Sequence, residues 1–145
     1  PPVMSMSANG VCFATSVHGL ATIGVTIDLV LTSPLVRARE TAMLLASNLR
    51  ARKPPVEELD ALAPGGRPAA IVEAITRHAK RHRRLALVGH EPDLGELAAR
   101  LLGARGSIEF KKGAVCAIDV NAATPGGPGT LRWLLPPRVL RGLAP

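Results

Sequence analysis

Tyrosine is absent from this chain, and Phe13, Phe110 and Trp133 are its only aromatic residues. A surface that stacks nucleobases needs several such rings, so the composition speaks against a single-strand nucleic-acid platform. Cysteine is almost as scarce. Cys12 and Cys116 stand far apart, with no Cys-x-x-Cys spacing. That usage fits reduced thiols in a cytoplasmic setting, and it leaves zinc without a ligand cluster, so no metal and no cofactor are expected. Apolar runs of membrane-spanning length are missing as well, and no membrane partner is expected. Charge is missing from the first 27 residues, where Ser5, Ser7, Asn9 and Gly10 break the apolar stretch and argue against a secretory signal. Residues 1–24 are therefore expected to form an atypical or truncated N-terminal segment, ahead of one domain over residues 25–145.

What the chain does contain is apolar content of 47% over 145 residues, enough for one domain with a real core. Its net charge of +7 raises the question of a nucleic-acid partner. Five of the basic residues fall between Arg77 and Arg84, at one helix end, where cations also suit the helix dipole. With no stacking platform beside it, that run reads as a solvated basic end that takes no nucleic acid.

Periodicity gives alternating strands and helices. Val11–Val17 is a weak strand, Ile27–Leu31 a short buried one, and Arg84–Val88 another. Ser33 with Pro34 behind it predicts a helix start, with Leu35, Ala38, Ala42, Leu45 and Leu49 on one face. A second helix is expected from about Pro68 to His82, and a third opens at Pro92 and stops near Gly103. Ser107–Phe110, Val115–Val120 and Thr130–Leu135 read as further strands. The fold class is α/β, a three-layer αβα sandwich around a mainly parallel sheet.

Two segments share one layout: Leu29–Ala42 and Leu85–Ala98 each run from apolar strand through a tight turn into an amphipathic helix. In such sheets ligands collect at the carboxyl ends of the strands, where free helix N–H groups also point. The first turn delivers Arg37 and the second His90, so the two are expected to converge on one anion. Arg37 lies in the opening turn of its helix, where a cation opposes the dipole, and an anion-binding role explains that cost better than solvation.

The strings Leu31-Thr-Ser-Pro-Leu-Val-Arg37-Ala-Arg-Glu-Thr41-Ala and Val88-Gly-His90-Glu-Pro-Asp-Leu strongly resemble the histidine phosphatase superfamily. The nearer resemblance is to its short SixA-like branch of protein-phosphohistidine phosphatases, with a phosphoglycerate-mutase-like fold. LAPGG (Leu62–Gly66), KKG (Lys111–Gly113) and LRWLLPPRVL (Leu131–Leu140) are similar too, so the likeness runs from about Val25 to Leu140. What it implies is a covalent phosphatase. A histidine in an Arg-His-Gly motif after the first strand takes up the phosphoryl group and water discharges it, while the residues matching Arg37 and His90 surround the phosphoryl oxygens. The implied partner is a phosphorylated histidine-containing protein, with a small phosphorylated metabolite as the alternative.

Arg-His-Gly itself occurs nowhere in the chain. The nearest string is Val17-His18-Gly19, which makes His18 the upstream candidate nucleophile. About eight residues then remain before Ile27, enough for a bare loop of roughly 26–29 Å but not for a helix. One sheet face would then stay uncovered, and pairing into a homo-oligomer would be a natural remedy. Two functions therefore stay open: a phosphatase, or a phosphate-binding protein that keeps the clamp without the nucleophile. Glu57, Glu58 and Asp60 are candidate acids that spacing does not separate, Glu91 flanks His90 either as a cap of its helix or as an acid, and Lys111 and Lys112 widen a positive rim or guard a strand edge. His78 and His82 belong to the basic helix end.

Overall fold

Leu29–Thr32, Leu85–Gly89 and Val115–Asp119 are almost unbroken apolar runs, as strands buried on both faces tend to be. In the computed structural model, which describes residues 2–7, 19–49, 52–121 and 128–143, they lie inside one six-stranded sheet. In chain order the strands are β1 (Pro2–Ser7), β2 (Leu29–Thr32), β3 (Val56–Glu58), β4 (Leu85–Gly89), β5 (Val115–Asp119) and β6 (Thr130–Leu135). Their spatial order is β3-β2-β4-β1-β5-β6. The first four positions pair in parallel, whereas β5 runs antiparallel to β1 and β6 antiparallel to β5.

Side chains alternate across β2, β4 and β5 and build a core on both faces. Leu29, Leu31, Leu85, Leu87, Cys116 and Ile118 face one way. There they meet Ile71 and Ile75 of helix α2 (Pro68–Ala79) and Leu94 and Leu97 of helix α3 (Asp93–Leu101). Val30, Ala86, Val88 and Val115 face the other way. They are covered by Ala38, Ala42 and Leu45 of helix α1 (Val36–Asn48), by Leu20 in a helical turn over residues 19–22, and by Leu140 of helix α4 (Pro137–Leu143). Each fully buried leucine here stabilises the fold by about 1.5–3 kcal/mol relative to exposure. The result is the expected αβα sandwich.

The first strand lies earlier than periodicity placed it. Val11–Val17 falls outside the described residues, and β1 is formed by Pro2–Ser7 at the sheet centre, between β4 and β5. The link from β1 to β2 thus spans residues 8–28, enough chain for a parallel crossover. The face expected to be bare is covered by α1, α4 and the turn over 19–22, which removes the reason given for a homo-oligomer.

Ser107–Phe110 is not a strand. Its backbone is drawn onto α3 instead, with the N–H of Ile108 donating to the carbonyl of Gly95 at 3.1 Å, while Phe110 is buried in the core. Strand β3 and helix α4 were not anticipated. No helix among the described residues is long and apolar enough to cross a membrane.

Candidate functional site

Parallel pairing fixes what meets at the carboxyl edge of the sheet. Thr32 of β2 is in register with Val88 of β4, and the N–H of Ser33 continues the ladder by donating to the carbonyl of Val88 at 2.9 Å. The residues just beyond the two strands must therefore be neighbours. Ser33 and His90 are those residues: the Ser33 hydroxyl and His90 Nε2 lie 2.8 Å apart, in a hydrogen bond. Ser33 was expected to cap the following helix, with Pro34 as its first residue. Instead the helix begins at Val36 with Leu35 at the cap position and no side-chain cap; the Ser33 oxygen accepts the N–H of Leu35 at 3.3 Å, ahead of the helix, and also meets His90. Sequence reading missed Ser33 as a site residue. The signal was its place directly after a strand, but only the register with β4 reveals its partner.

Arg37 occupies the second residue of α1, one turn beyond Ser33, and is exposed. Among the described residues its guanidinium has no hydrogen-bond or ion-pair partner. Arg39, two residues on, is by contrast paired with Glu58 at 3.3 Å. His90 is half-buried, and its carbonyl accepts the N–H of Leu94 at 2.9 Å, which ties it to the start of α3. The site thus lies between the amino ends of α1 and α3, where unpaired helix N–H groups add partial positive charge.

The LAPGG loop closes one side. Asp93 accepts the N–H of Gly65 at 2.9 Å, and Leu62 packs against the end of β4 near Gly89. Gly65 takes a φ of +81°, which a side chain would strain, and this lets the loop fold back onto α3.

The candidate acids separate once their surroundings are known. Glu58 is engaged by Arg39, and Glu57 lies 4.0 Å from His78. Burial lowers the His78 pKa, against the pull of Glu57. Asp60 is exposed in a short helical turn, Asp60–Leu62. Glu91 is different: one carboxylate oxygen accepts the N–H of Gly95, and the other, Oε1, is buried without a partner among the described residues. Burial first, then repulsion from Asp93, pushes its pKa up to about 7.

The folded protein therefore holds a proton that the unfolded chain releases from about pH 4.5 upward, so stability falls as pH rises from there and the loss is complete above about pH 7. Discounted for partial solvent screening, the loss is on the order of 1–2 kcal/mol. Denaturant titrations at pH 5 and 8 should show this loss in the wild type and a smaller one in Glu91→Gln. An equal loss in both proteins would place the titration elsewhere.

Lys111 and Lys112 are exposed in the turn before β5. The basic run from Arg77 to Arg84 lies at the opposite sheet edge, ahead of β4, away from His90. His18 lies outside the described residues. Among the described residues no cluster of His, Cys, Asp and Glu could hold a metal ion. Cys116 is a free, buried thiol whose pKa burial pushes up to about 11, which keeps it protonated and inert. An open groove of about 820 Å³ runs between α1 and β3, lined by Val36, Met43, Leu44 and Val56; neither Arg37 nor His90 lines it.

No sequence-family profile matches the chain. It is 37% identical over 107 residues to an uncharacterized protein of Picosynechococcus sp. (strain ATCC 27264 / PCC 7002 / PR-6), a match covering 72% of this chain. That match spans 64% of the cyanobacterial protein, less than two thirds of its length. Among solved structures, the protein histidine phosphatase SixA complexed with tungstate superposes with a TM-score of 0.81 at 20% identity, covering 97% of this chain and 99% of its own. A phosphoglycerate mutase from Plasmodium falciparum superposes with a TM-score of 0.61 at 14% identity, covering 91% of this chain and 88% of its own. The chain has the fold that these two proteins share.

Proposed function

We propose that this chain, built on the phosphoglycerate-mutase-like fold of the histidine phosphatases, removes phosphate from a phosphohistidine in a protein partner. The observation that carries this reading is the meeting of Ser33 and His90 at the carboxyl edge of β2 and β4, with Arg37 four residues after Ser33 in the sequence and its guanidinium without a partner among the described residues. A transferring phosphoryl group spreads negative charge over three oxygens, and fixed cations and N–H donors stabilise it there. Arg37 would supply a fork of donors, His90 a single N–H, and the start of α3 partial charge. Tungstate, the ligand of the SixA structure, is an oxyanion of similar shape and charge, which supports the same class of ligand here.

In the catalytic form of this proposal His18 is the nucleophile. Its imidazole forms a bond to phosphorus as the bond to the substrate imidazole breaks, and the leaving imidazole departs carrying a proton. Water then attacks the phosphorylated His18, releasing inorganic phosphate and restoring the free histidine. No metal is required by this scheme, because cationic side chains provide the charge.

One observation favours a second reading. Strand β1 ends at Ser7, and the sequence continues Ala8-Asn9-Gly10, where the resemblance implies Arg-His-Gly. His18 follows only eleven residues after that strand end. A non-catalytic phosphohistidine-binding protein would keep the clamp and lack the nucleophile. Incubation with a protein domain phosphorylated on histidine separates the two. Loss of the phosphohistidine, abolished by His18→Ala, supports the phosphatase, and turnover that survives His18→Ala removes that residue from the scheme. Absence of turnover with retained tungstate binding selects the binding protein.

A further inference from the structure

Ser33 is completely buried, at 0% exposure, so its hydroxyl proton must find an acceptor inside the protein. Its oxygen already accepts the N–H of Leu35 at 3.3 Å, which uses a lone pair and leaves the proton to be placed. The neighbouring hydroxyl, Thr32 Oγ1, donates to the carbonyl of Ser33 itself at 3.0 Å and makes no hydrogen bond with the Ser33 hydroxyl among the described residues. Among the described residues the acceptor within reach is His90 Nε2, at 2.8 Å. In the reverse arrangement, with Nε2–H donating to Ser33, the serine proton would be buried without an acceptor among the described residues.

We infer that Ser33 is a positioning residue: its hydroxyl donates to His90 Nε2 and holds the neutral imidazole with its hydrogen on Nδ1, so that Nδ1–H is what His90 offers to a phosphoryl oxygen. The inference rests on the reading above, in which His90 touches the phosphoryl group. Both partners are held by the scaffold, Ser33 by the sheet through its N–H to the Val88 carbonyl and His90 by the start of α3 through its carbonyl, which accepts from Leu94. The hydroxyl is therefore pre-set before any ligand arrives, with no loop to order. It also assigns the two ring nitrogens separate tasks. Nε2 is committed to Ser33, so His90 serves as a donor to the anion and is withdrawn from nucleophilic attack through that atom.

The test is the tautomer itself, read from the ring nitrogen signals of His90 in 15N-labelled protein at about pH 8. The expected spectrum shows a bare Nε2 and a protonated Nδ1, and a bare Nδ1 would overturn the assignment. In Ser33→Ala both tautomers should be populated, and tungstate affinity should fall about fivefold. Ser33→Thr, which keeps the hydroxyl, should restore the Nδ1–H signature. An alanine variant that retains the wild-type tautomer would refute the role of Ser33. The wild-type spectrum needs no variant, so a misfolded mutant leaves the test standing. A protonated Nδ1 together with no tungstate binding would refute the phosphate reading while upholding the Ser33–His90 assignment.

Discussion

Arg37→Ala is expected to weaken tungstate or phosphate binding by about 10- to 100-fold, the range set by one charge-assisted, two-pronged contact to an oxyanion. The same substitution should leave the folded protein intact. Arg37 is exposed, and among the described residues it has no partner to lose. At the second position of α1 it also stands where a cation opposes the helix dipole, so its removal should be neutral or slightly stabilising. A loss of ligand without a loss of stability is the signature of a residue kept for binding. Arg37→Lys tests the geometry further, because an ammonium keeps the charge and loses the fork, and it should recover only part of the affinity. Isothermal titration with tungstate, beside a denaturant curve for each variant, measures both quantities. Unchanged affinity in Arg37→Ala would remove the arginine from the site.

Gly95→Ala should be strongly destabilising despite lying in a helix, where alanine is ordinarily better than glycine by about 1 kcal/mol. A Cβ at this position would stand 2.1 Å from the carbonyl oxygen of Ile108 and 2.8 Å from Ser107 Oγ. The first is backbone, and the carbonyl of Gly95 accepts the N–H of Ile108 at 3.1 Å, so the segment cannot swing away without losing that bond. The cost of such overpacking exceeds the helix gain, and a net loss of about 2 kcal/mol is expected. Displacement of residues 107–110 would also disturb Glu91, whose Oε2 lies 3.1 Å from the same Cβ position, and with it the start of α3 beside His90. Tungstate affinity should fall together with stability, unlike the Arg37 variant. A Gly95→Ala protein as stable as the wild type would show that the α3 contact with Ile108 is slack.

The strands and helices that set the core were legible because their periodicity is strong and local. Leu29–Thr32 and Leu85–Gly89 are apolar throughout, as strands covered on both faces should be, and α2 and α3 repeat their apolar residues every three or four positions. Strand β3 was not legible, since three residues with two exposed glutamates carry too little pattern. β1 carries a signal in the alternation Met4-Ser5-Met6-Ser7, but it is short and half polar, and the more apolar run Val11–Val17 outweighs it as a strand by pattern alone. Arg37 and His90 were singled out from their place after strands. The contact of His90 with Ser33 was not, because it depends on the pairing of Thr32 with Val88, a relation across 56 residues that no local pattern encodes. The same register brings the Ser33 hydroxyl, placed by sequence at a helix start, to His90 as well.

A double-mutant cycle on tungstate dissociation, using Arg37→Ala, His90→Ala and the combined variant, asks whether the guanidinium and the imidazole grip one shared anion. Residues that hold the same ion should couple, with the double variant departing from the sum of the singles by about 1 kcal/mol or more. Effects that add within about 0.5 kcal/mol would mean two independent environments, and the phosphoryl site described here would not exist.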